Sequence, residues 1–318
     1  MPEIINFPQI ARAFYMEPLA LEEGAMLAAH MFLWPRVTGA VQDSASFIEA
    51  AAEKSSPQHN KWDGSLAHMR KQIAAPAMQS NGWSAPPTIL DPNYYWQIDG
   101  KPGVAVIPMN GMLSKGVGPF AESCMGAVNP DRINHALQQA IAAKDIKTIV
   151  MDVGSPGGRT TAIAETAALV KLATETRGKT VYAFTDTLIA SAAEWICSQA
   201  DEVIMTSSSQ IGSIGTYLAF LNPKVAMQTK GYNLELFSQG THKAIGMPGR
   251  DLSQKDREYL QAGVDKINGQ FVAAVKAGRP KATEEALRDA KMYDAADAIK
   301  QGLADGLVSS WDEFVSLI

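Results

Sequence analysis

The chain has 318 residues and a formal net charge of −5 at pH 7, with ordinary fractions of apolar and charged residues. This length is enough to bury a large core, and the acidic balance argues against a nucleic-acid-binding protein, which normally carries a basic patch. The two cysteines, Cys124 and Cys197, match neither a metal-site spacing nor a disulfide framework, so we expect no metal and a reducing compartment.

The amino-terminal part of the chain divides into two segments. Residues 1–36 contain one predicted amphipathic helix, from about Ala20 to Leu33, and lack the pattern of a secretory signal. The longest apolar run there is too short to cross a bilayer and contains His30, so no membrane segment is predicted. Residues 37–95 are rich in Pro, Ser, Gly and Asn, which indicates a linker or a loosely held arm.

Residues 96–318 form the predicted folded domain, in which strands and helices alternate. The apolar, β-rich runs predict strands at Gly103–Leu113, Lys147–Val153, Lys179–Phe184 and Asp201–Thr206. A helix is expected after Asn129, a favourable N-cap residue, with Pro130 in its first turn. The alternation predicts an α/β fold with a parallel sheet and covering helices, followed by a mostly helical carboxyl-terminal part.

The stretch "MDVGSPGGRTT" places glycines where a predicted strand gives way to a helix. Glycine is common in such turns for conformational reasons alone. The backbone N–H groups of Gly157 and Gly158 are also suited to hold a negative oxygen. The stretch lacks the Gly-Lys-Ser/Thr ending of a phosphate-binding P-loop and the G-x-G-x-x-G of a dinucleotide-binding turn.

Ser191 lies where a loop becomes a short helix, among Ala190, Ala192 and Ala193. A serine at this position is usually an N-cap. The small neighbours are expected to leave its hydroxyl accessible to a substrate carbonyl, and the N–H of Ala192 could stabilise an oxyanion. Ser191 is therefore either a helix cap or a nucleophile.

A nucleophilic serine needs a base. The five histidines are scattered and have no evident acidic partner in the sequence, so a Ser-His-Asp triad is not favoured. Lys243 follows a strand-like run and lies among small and apolar residues, although the pattern alone favours a solvated loop lysine. Ser213, between Gly212 and Gly215, belongs either to a tight bend or to a site wall that orients a lysine amine.

Six motifs carry a family resemblance when they are taken in order, and the resemblance covers about residues 103 to 314. They are "IPMNGML", "MDVGSPGG", "IASAAEWICSQADEVIM", "SSQIGSIG", "GTHKAIGMPGRDLSQKDREYLQ" and "DAADAIKQGLADGL". The set resembles the serine peptidase family of signal-peptide peptidase A and the tailed-phage prohead (capsid-assembly) proteases. This resemblance implies a crotonase-like, Clp-protease-like α/β fold and a Ser–Lys catalytic dyad.

Carried onto this sequence, the resemblance implies that Ser191 is the nucleophile and Lys243 the general base, with Ser213 close to the lysine. It implies an oxyanion hole made by the backbone N–H groups of Gly157, Gly158 and Ala192. Neither a cofactor nor a metal is implied. Family members assemble as rings, and in some of them the serine and the lysine come from different subunits.

The expected function is that of a phage or prophage endopeptidase that cleaves scaffold and capsid proteins during prohead maturation. We expect a homo-oligomeric ring in the host cytoplasm or inside the prohead, with no nucleic-acid or membrane partner. The chain is expected to end with the protease, without an internal scaffold region. The alternatives are a cytoplasmic bacterial peptidase that degrades peptides and a non-catalytic scaffold of the same fold. An acyl-CoA hydratase or isomerase is disfavoured because helical phase turns Glu194 away from Ser191.

Overall fold

The computed structural model describes residues 19–21, 95–117 and 126–318. The first half of the described chain contains, in order, β1 (Leu19–Leu21), β2 (Trp96–Ile98), β3 (Lys101–Asn110), β4 (Met112–Leu113), β5 (Ala127–Val128), α1 (Pro130–Ala142), β6 (Thr148–Gly154), β7 (Gly157–Arg159) and α2 (Ile163–Arg177). The alternation of strand and helix from β3 to α2 is the pattern that the sequence predicts.

The second half continues the alternation and then becomes mainly helical. Its elements are β8 (Thr180–Thr185), β9 (Leu188–Ala190), α3 (Ala192–Cys197), β10 (Glu202–Thr206), β11 (Gln210–Gly212), α4 (Lys224–Thr229), α5 (Gln254–Gly278), α6 (Glu284–Arg288), β12 (Met292–Asp294), α7 (Ala295–Lys300), β13 (Gly306–Val308) and α8 (Trp311–Leu317).

The central sheet has the strand order β13-β10-β8-β6-β3-β2, and all its pairings are parallel except that of β2 with β3. Both faces are covered. Ile149 and Met151 of β6 face the larger core, which contains α1, α2 and α3, whereas Val150 packs in a smaller cluster with Phe184 and with Phe314 of α8. Burial on both faces explains why the strands read as continuous apolar runs. The α/β class with a mostly parallel sheet is thus confirmed.

Two smaller sheets flank the central sheet and position the candidate site. One has the order β12-β11-β9, and the other has the order β1-β7-β4-β5. A parallel bridge between Ser155 and Ile189 joins the loop before β7 to β9. The glycine-rich loop and the strand that leads to Ser191 are therefore immediate neighbours.

Several predicted elements are confirmed and one is divided. The Asn129 side chain accepts a hydrogen bond from the Asp131 N–H at 3.0 Å, so it caps α1 as expected. The predicted strand Gly103–Leu113 is split into β3 and β4 at Gly111, whose φ is +128°. A Cβ at this glycine would lie 2.1 Å from the Gly126 carbonyl oxygen, so the two backbones approach closely only because glycine is present.

The amino-terminal helix prediction is wrong where the structure describes that segment, because Ala20 and Leu21 lie in β1. The rest of the predicted helix, and the predicted arm at 37–95 apart from its last residue, lie outside the described residues. The division of the chain at residues 36 and 95 stays a prediction.

The carboxyl-terminal part is mostly helical, as predicted, but it also contains β12 and β13, which the sequence pattern did not indicate. Each of these strands has three residues, too few to show a periodicity. Within residues 19–21, 95–117 and 126–318, no helix is long and apolar enough to cross a membrane, and no His, Cys, Asp and Glu cluster has the arrangement of a metal site.

Candidate active site

Ser191 lies at the turn between β9 and α3. Its backbone has φ 56° and ψ −119°, a combination that residues with a side chain rarely adopt and that costs free energy. Its N–H donates to the carbonyl of Gly212, the last residue of the neighbouring strand β11, at 2.9 Å. The pairing of β9 with β11 therefore holds the serine in this strained turn.

The Ser191 hydroxyl is fully buried and has no hydrogen-bond partner among the described residues. It makes no capping bond to α3, so its position at the helix start does not reflect an N-cap role. The expectation that the neighbouring alanines leave the hydroxyl accessible is wrong for this chain, because Ala190, Ala192 and Ala193 pack in the core around it. A buried hydroxyl without a partner is unfavourable for folding, which is typical of a group kept for function.

The glycine-rich loop lies beside this turn. Gly158 has φ +156°, and a Cβ there would lie 2.0 Å from the Leu113 carbonyl oxygen, so the close pairing of β7 with β4 requires glycine. The Gly157 N–H donates to the Ser155 hydroxyl at 3.2 Å, and that hydroxyl donates to the Gly111 carbonyl at 2.6 Å. The Gly157 N–H thus has an internal partner, which it would have to release in order to bind an oxyanion.

Ser213 follows β11 directly and is brought to the same end of the sheet as Ser191. It is buried, has φ 54°, and its N–H donates to the Lys291 carbonyl at 2.8 Å. A cleft of about 350 Å³ opens beside it. Tyr217 and Asn268 line this cleft, and the buried Tyr217 Oη and Asn268 Oδ1 atoms have no hydrogen-bond partner in the described part of the chain. Ser213 therefore lies in the wall of a cleft that contains polar side chains.

Lys243 is exposed, in a series of turns between α4 and α5. Since the Ser191 hydroxyl has no hydrogen-bond partner, the described chain does not join the two residues of the predicted dyad. The strand-like run before Lys243 forms no strand in the structure. The structure thus brings Ser191, Ser213 and the glycine-rich loop together, but it does not hydrogen-bond Lys243 to the serine.

The residue before Lys243 has an acidic partner that sequence reasoning missed. The His242 Nδ1 lies 3.1 Å from Asp256 Oδ1, and the ring stacks on Tyr259 with a centroid distance of 4.6 Å. Arg250 donates to the other Asp256 oxygen at 2.7 Å. Hydrogen bonds from Ser253, then His242 and Arg250, hold the pKa of this buried carboxyl well below its usual range. The Ser253-x-x-Asp256 capping box was a detectable signal for the aspartate, but not for its contact with histidine.

Glu194, in α3, is a second buried carboxyl. Neither of its oxygens has a hydrogen-bond partner among the residues that the structure describes. Burial raises its pKa to about 8, although nearby Arg279 favours the charged form. No hydrogen bond joins it to Ser191. The structure therefore gives it no part in the serine site.

The fold is that of an α/β protein, and its candidate nucleophile is a serine at a strained strand-to-helix turn beside a glycine-rich loop. The comparison with known families is more specific, since residues 173–317 match the family model described as Peptidase family S49. This part of the chain is therefore similar to peptidase family S49, which confirms the resemblance. The match includes Ser191, Ser213 and Lys243, and it begins after Gly157 and Gly158.

Individual relatives agree with this assignment. The chain is 29% identical over 214 residues to Capsid assembly protease C of Escherichia phage lambda. The aligned region covers 66% of this chain and 47% of that protein. It is 27% identical over 214 residues to Head-tail preconnector protein GP5 of Enterobacteria phage P21, which covers 66% of this chain and 42% of that protein. The chain thus matches less than half the length of either relative.

Among solved structures, a ClpP1 variant from Listeria monocytogenes is similar with a TM-score of 0.39 and 11% identity, over 65% of this chain and 93% of that chain.

Proposed function

We propose that this protein is a serine endopeptidase in which Ser191 is the nucleophile and Lys243 the general base. The observation that carries the proposal is the buried Ser191 hydroxyl, which lies in a strained turn beside Gly157 and Gly158 and has no partner within residues 19–21, 95–117 and 126–318. Neither capping nor packing accounts for a hydroxyl there, because alanine would fill the same space without an unpaired polar atom. The match to peptidase family S49 over residues 173–317 supports the same reaction.

The reaction follows from the chemistry of these groups. The neutral Lys243 amine removes the Ser191 proton, and Oγ attacks the carbonyl carbon of a peptide bond. Backbone N–H groups of Gly157, Gly158 and Ala192 stabilise the oxyanion, once the Gly157 N–H has left the Ser155 hydroxyl. The tetrahedral intermediate collapses, the C–N bond breaks, and Lys243 protonates the leaving amine. Water then hydrolyses the acyl-enzyme in the same way.

We propose that a neighbouring copy of the chain supplies Lys243. A lysine amine needs burial or a nearby cation to be neutral near pH 7, and Lys243 is exposed in the single chain. Between residues 215 and 255 no side chain is fully buried. This segment exposes large apolar side chains, with exposed fractions of 91% for Phe237, 75% for Val225 and 63% for Tyr232. Such a surface is typical of a contact between subunits, and a homo-oligomeric ring would bury both the surface and the lysine.

For the substrate we propose scaffold and capsid proteins of a phage or prophage, cut during prohead maturation in the host cytoplasm or inside the prohead. Support comes from the two phage relatives, whose names describe capsid assembly and a head-tail preconnector. A peptidase that degrades peptides in a bacterial cytoplasm is the alternative.

The test is co-expression of the chain with scaffold and capsid proteins of the same genome, read by intact mass. Wild type is expected to cut them, whereas Ser191→Ala and Lys243→Ala are expected to leave them intact. Exposed Ser208 and Lys230 provide matched controls, and Ser208→Ala and Lys230→Ala should cut like wild type. If all the variants cut equally, the proposed dyad is wrong. If none cuts these partners but wild type hydrolyses unrelated peptides, the prohead role is wrong.

A mixing experiment tests whether two copies share the dyad. Neither Ser191→Ala nor Lys243→Ala should be active alone. Co-assembled in equal amounts, they should recover about a quarter of the wild-type rate, because that share of the interfaces pairs an intact serine with an intact lysine. An inactive mixture of correctly assembled oligomers would place both residues of the dyad in one chain.

A further inference from the structure

The outer edge of β7 is occupied by a segment of this same chain. β1 pairs antiparallel with β7, and the partners are Leu19 with Arg159, Ala20 with Gly158, and Leu21 with Gly157. In the sheet order β1-β7-β4-β5, β1 is the terminal strand, so β7 is held on one edge by β4 and on the other by β1. Without β1, the outer edge of β7 would be unpaired within the described residues.

This edge lies next to the nucleophile. β7 contains Gly157 and Gly158, and the residue two positions before it, Ser155, bonds to the strand that ends at Ser191. The Ser155 N–H donates to the Leu188 carbonyl, and the Ser155 carbonyl accepts from the Ala190 N–H, each at 3.0 Å. The β1 segment is thus a sheet neighbour of the predicted oxyanion loop.

The inner edge of β7 has no room for another occupant. Gly158 approaches Leu113 of β4 so closely that even a Cβ would lie 2.0 Å from the Leu113 carbonyl oxygen. The edge that a further strand can reach is the one on which β1 lies. An extended peptide binds such an edge through main-chain hydrogen bonds, which depend little on side-chain identity.

β1 runs antiparallel to β7. It runs from Arg159 towards Gly157, so its successive carbonyl groups approach the N–H groups that are predicted to form the oxyanion hole. We infer that Leu19–Leu21 is a built-in occupant of the β7 edge and competes for that edge with an extended peptide. A protein substrate has to displace this segment before it can reach Ser191. The term substrate rests on the proposed function, whereas the docking and the competition do not require catalysis.

The competition follows from the size of β1. Three paired residues offer few main-chain hydrogen bonds, so a longer peptide that follows the edge can form more of them. The segment nevertheless competes well at low peptide concentration, because it is covalently attached and has a high local concentration. Disabling β1 should therefore increase the affinity for an added peptide without changing the edge itself.

The test uses full-length chains that carry Ser191→Ala, so that no peptide is cut. A second substitution, Ala20→Pro, removes a backbone N–H and disfavours strand pairing at the centre of β1. The probe is a fluorescein-labelled peptide with the sequence EPLALEEG, which contains the β1 residues. Fluorescence anisotropy should show at least about tenfold tighter binding to the Ala20→Pro chain. The matched control, Ala51→Pro, lies in the amino-terminal region outside β1 and should bind like the parent chain.

Hydrogen exchange provides the second measurement. Amides of residues 157–160 should be protected in the Ser191→Ala chain, exchange faster after Ala20→Pro, and regain protection when the peptide is added. Equal peptide affinity in all three chains, with unchanged exchange, would overturn the inference. Protection that falls on dilution would show that a second copy supplies the strand and would overturn the intramolecular assignment. Since all these chains lack Ser191, failure of the proposed peptidase activity would leave the result interpretable.

Discussion

Replacing Ser191 with alanine should stabilise the protein. The hydroxyl is fully buried and has no hydrogen-bond partner in the described residues, and Ser191→Ala removes it while the Cβ stays in place. If Ser191 were an ordinary N-cap of α3, the same change would remove a capping hydrogen bond and destabilise the fold by about 1 kcal/mol. The two roles therefore predict opposite signs for one substitution.

The size of the effect follows from the cost of an unsatisfied buried hydroxyl, which is about 1–3 kcal/mol. We expect Ser191→Ala to raise the free energy of unfolding by about 1–2 kcal/mol, and Tm by about 2–4 °C for each kcal/mol in a domain of this size. Ser191→Gly should be at least as stable as Ser191→Ala, because glycine adopts a φ of 56° without backbone strain. For a residue with a side chain, that strain costs about 1–3 kcal/mol.

The assay is urea unfolding, with the midpoint compared at constant slope. Ser155→Ala is the control, because the Ser155 hydroxyl is also buried but bonds to both the Gly111 carbonyl and the Gly157 N–H. That variant should lose stability by about 1–3 kcal/mol. If Ser191→Ala loses as much stability as Ser155→Ala, the hydroxyl has a structural partner and the argument for a functional serine is refuted.

Three further predictions concern other parts of the fold. Burial raises the pKa of Glu194 to about 8 from its ordinary 4.5. Between these values the folded protein keeps a proton that the unfolded chain loses, so the free energy of unfolding should fall as pH rises from 5 to 8. The slope should be at most about 1.4 kcal/mol per pH unit. Glu194→Gln should flatten this slope in urea titrations at several pH values. Gly158→Ala should destabilise by more than about 2 kcal/mol in the same titrations, because its Cβ would clash with the backbone of β4. Gly263→Ala is the control, because a Cβ at this position in α5 meets nothing within 4 Å. This variant should be more stable than wild type by up to about 1 kcal/mol, since alanine favours a helix more than glycine does. Phe237→Ser should weaken self-association in sedimentation velocity and leave the unfolding midpoint at low concentration unchanged, since the ring is 91% exposed.

The sequence predicts the strands of the central sheet well, because the residue pattern that indicates each strand lies within the strand itself. Strands such as β6 and β8 are buried on both faces and read as apolar runs, and Asn129 caps α1 through a contact two residues away. By contrast, β1 exists through its pairing with β7, far along the chain, while the local pattern around Ala20 is that of a helix. Short strands that depend on a distant partner carry no periodicity of their own.

In the candidate site, too, local features are predictable from the sequence and tertiary contacts are not. The small residues around Ser191 and the glycines of the 154–158 loop are local signals of tight turns, and the structure places both turns side by side. The contact of His242 with Asp256 joins a loop to the start of a helix, so no spacing rule indicates it. The burial of the Ser191 hydroxyl is likewise a tertiary property, since alanine neighbours in a sequence are equally consistent with an open surface or with a packed core.

The separation of serine and lysine has a physical rationale under the proposed function. A lysine buried beside Ser191 within one chain would pay the desolvation cost of its amine during folding, in addition to the unpartnered hydroxyl already present. Exposed Lys243 avoids that cost until another surface covers it. If that surface belongs to a second copy, the free energy of assembly offsets the desolvation, and the neutral amine exists only in the oligomer. Proteolysis would then depend on protein concentration more steeply than binding of a peptide to the β7 edge does, and this difference separates the two proposals experimentally.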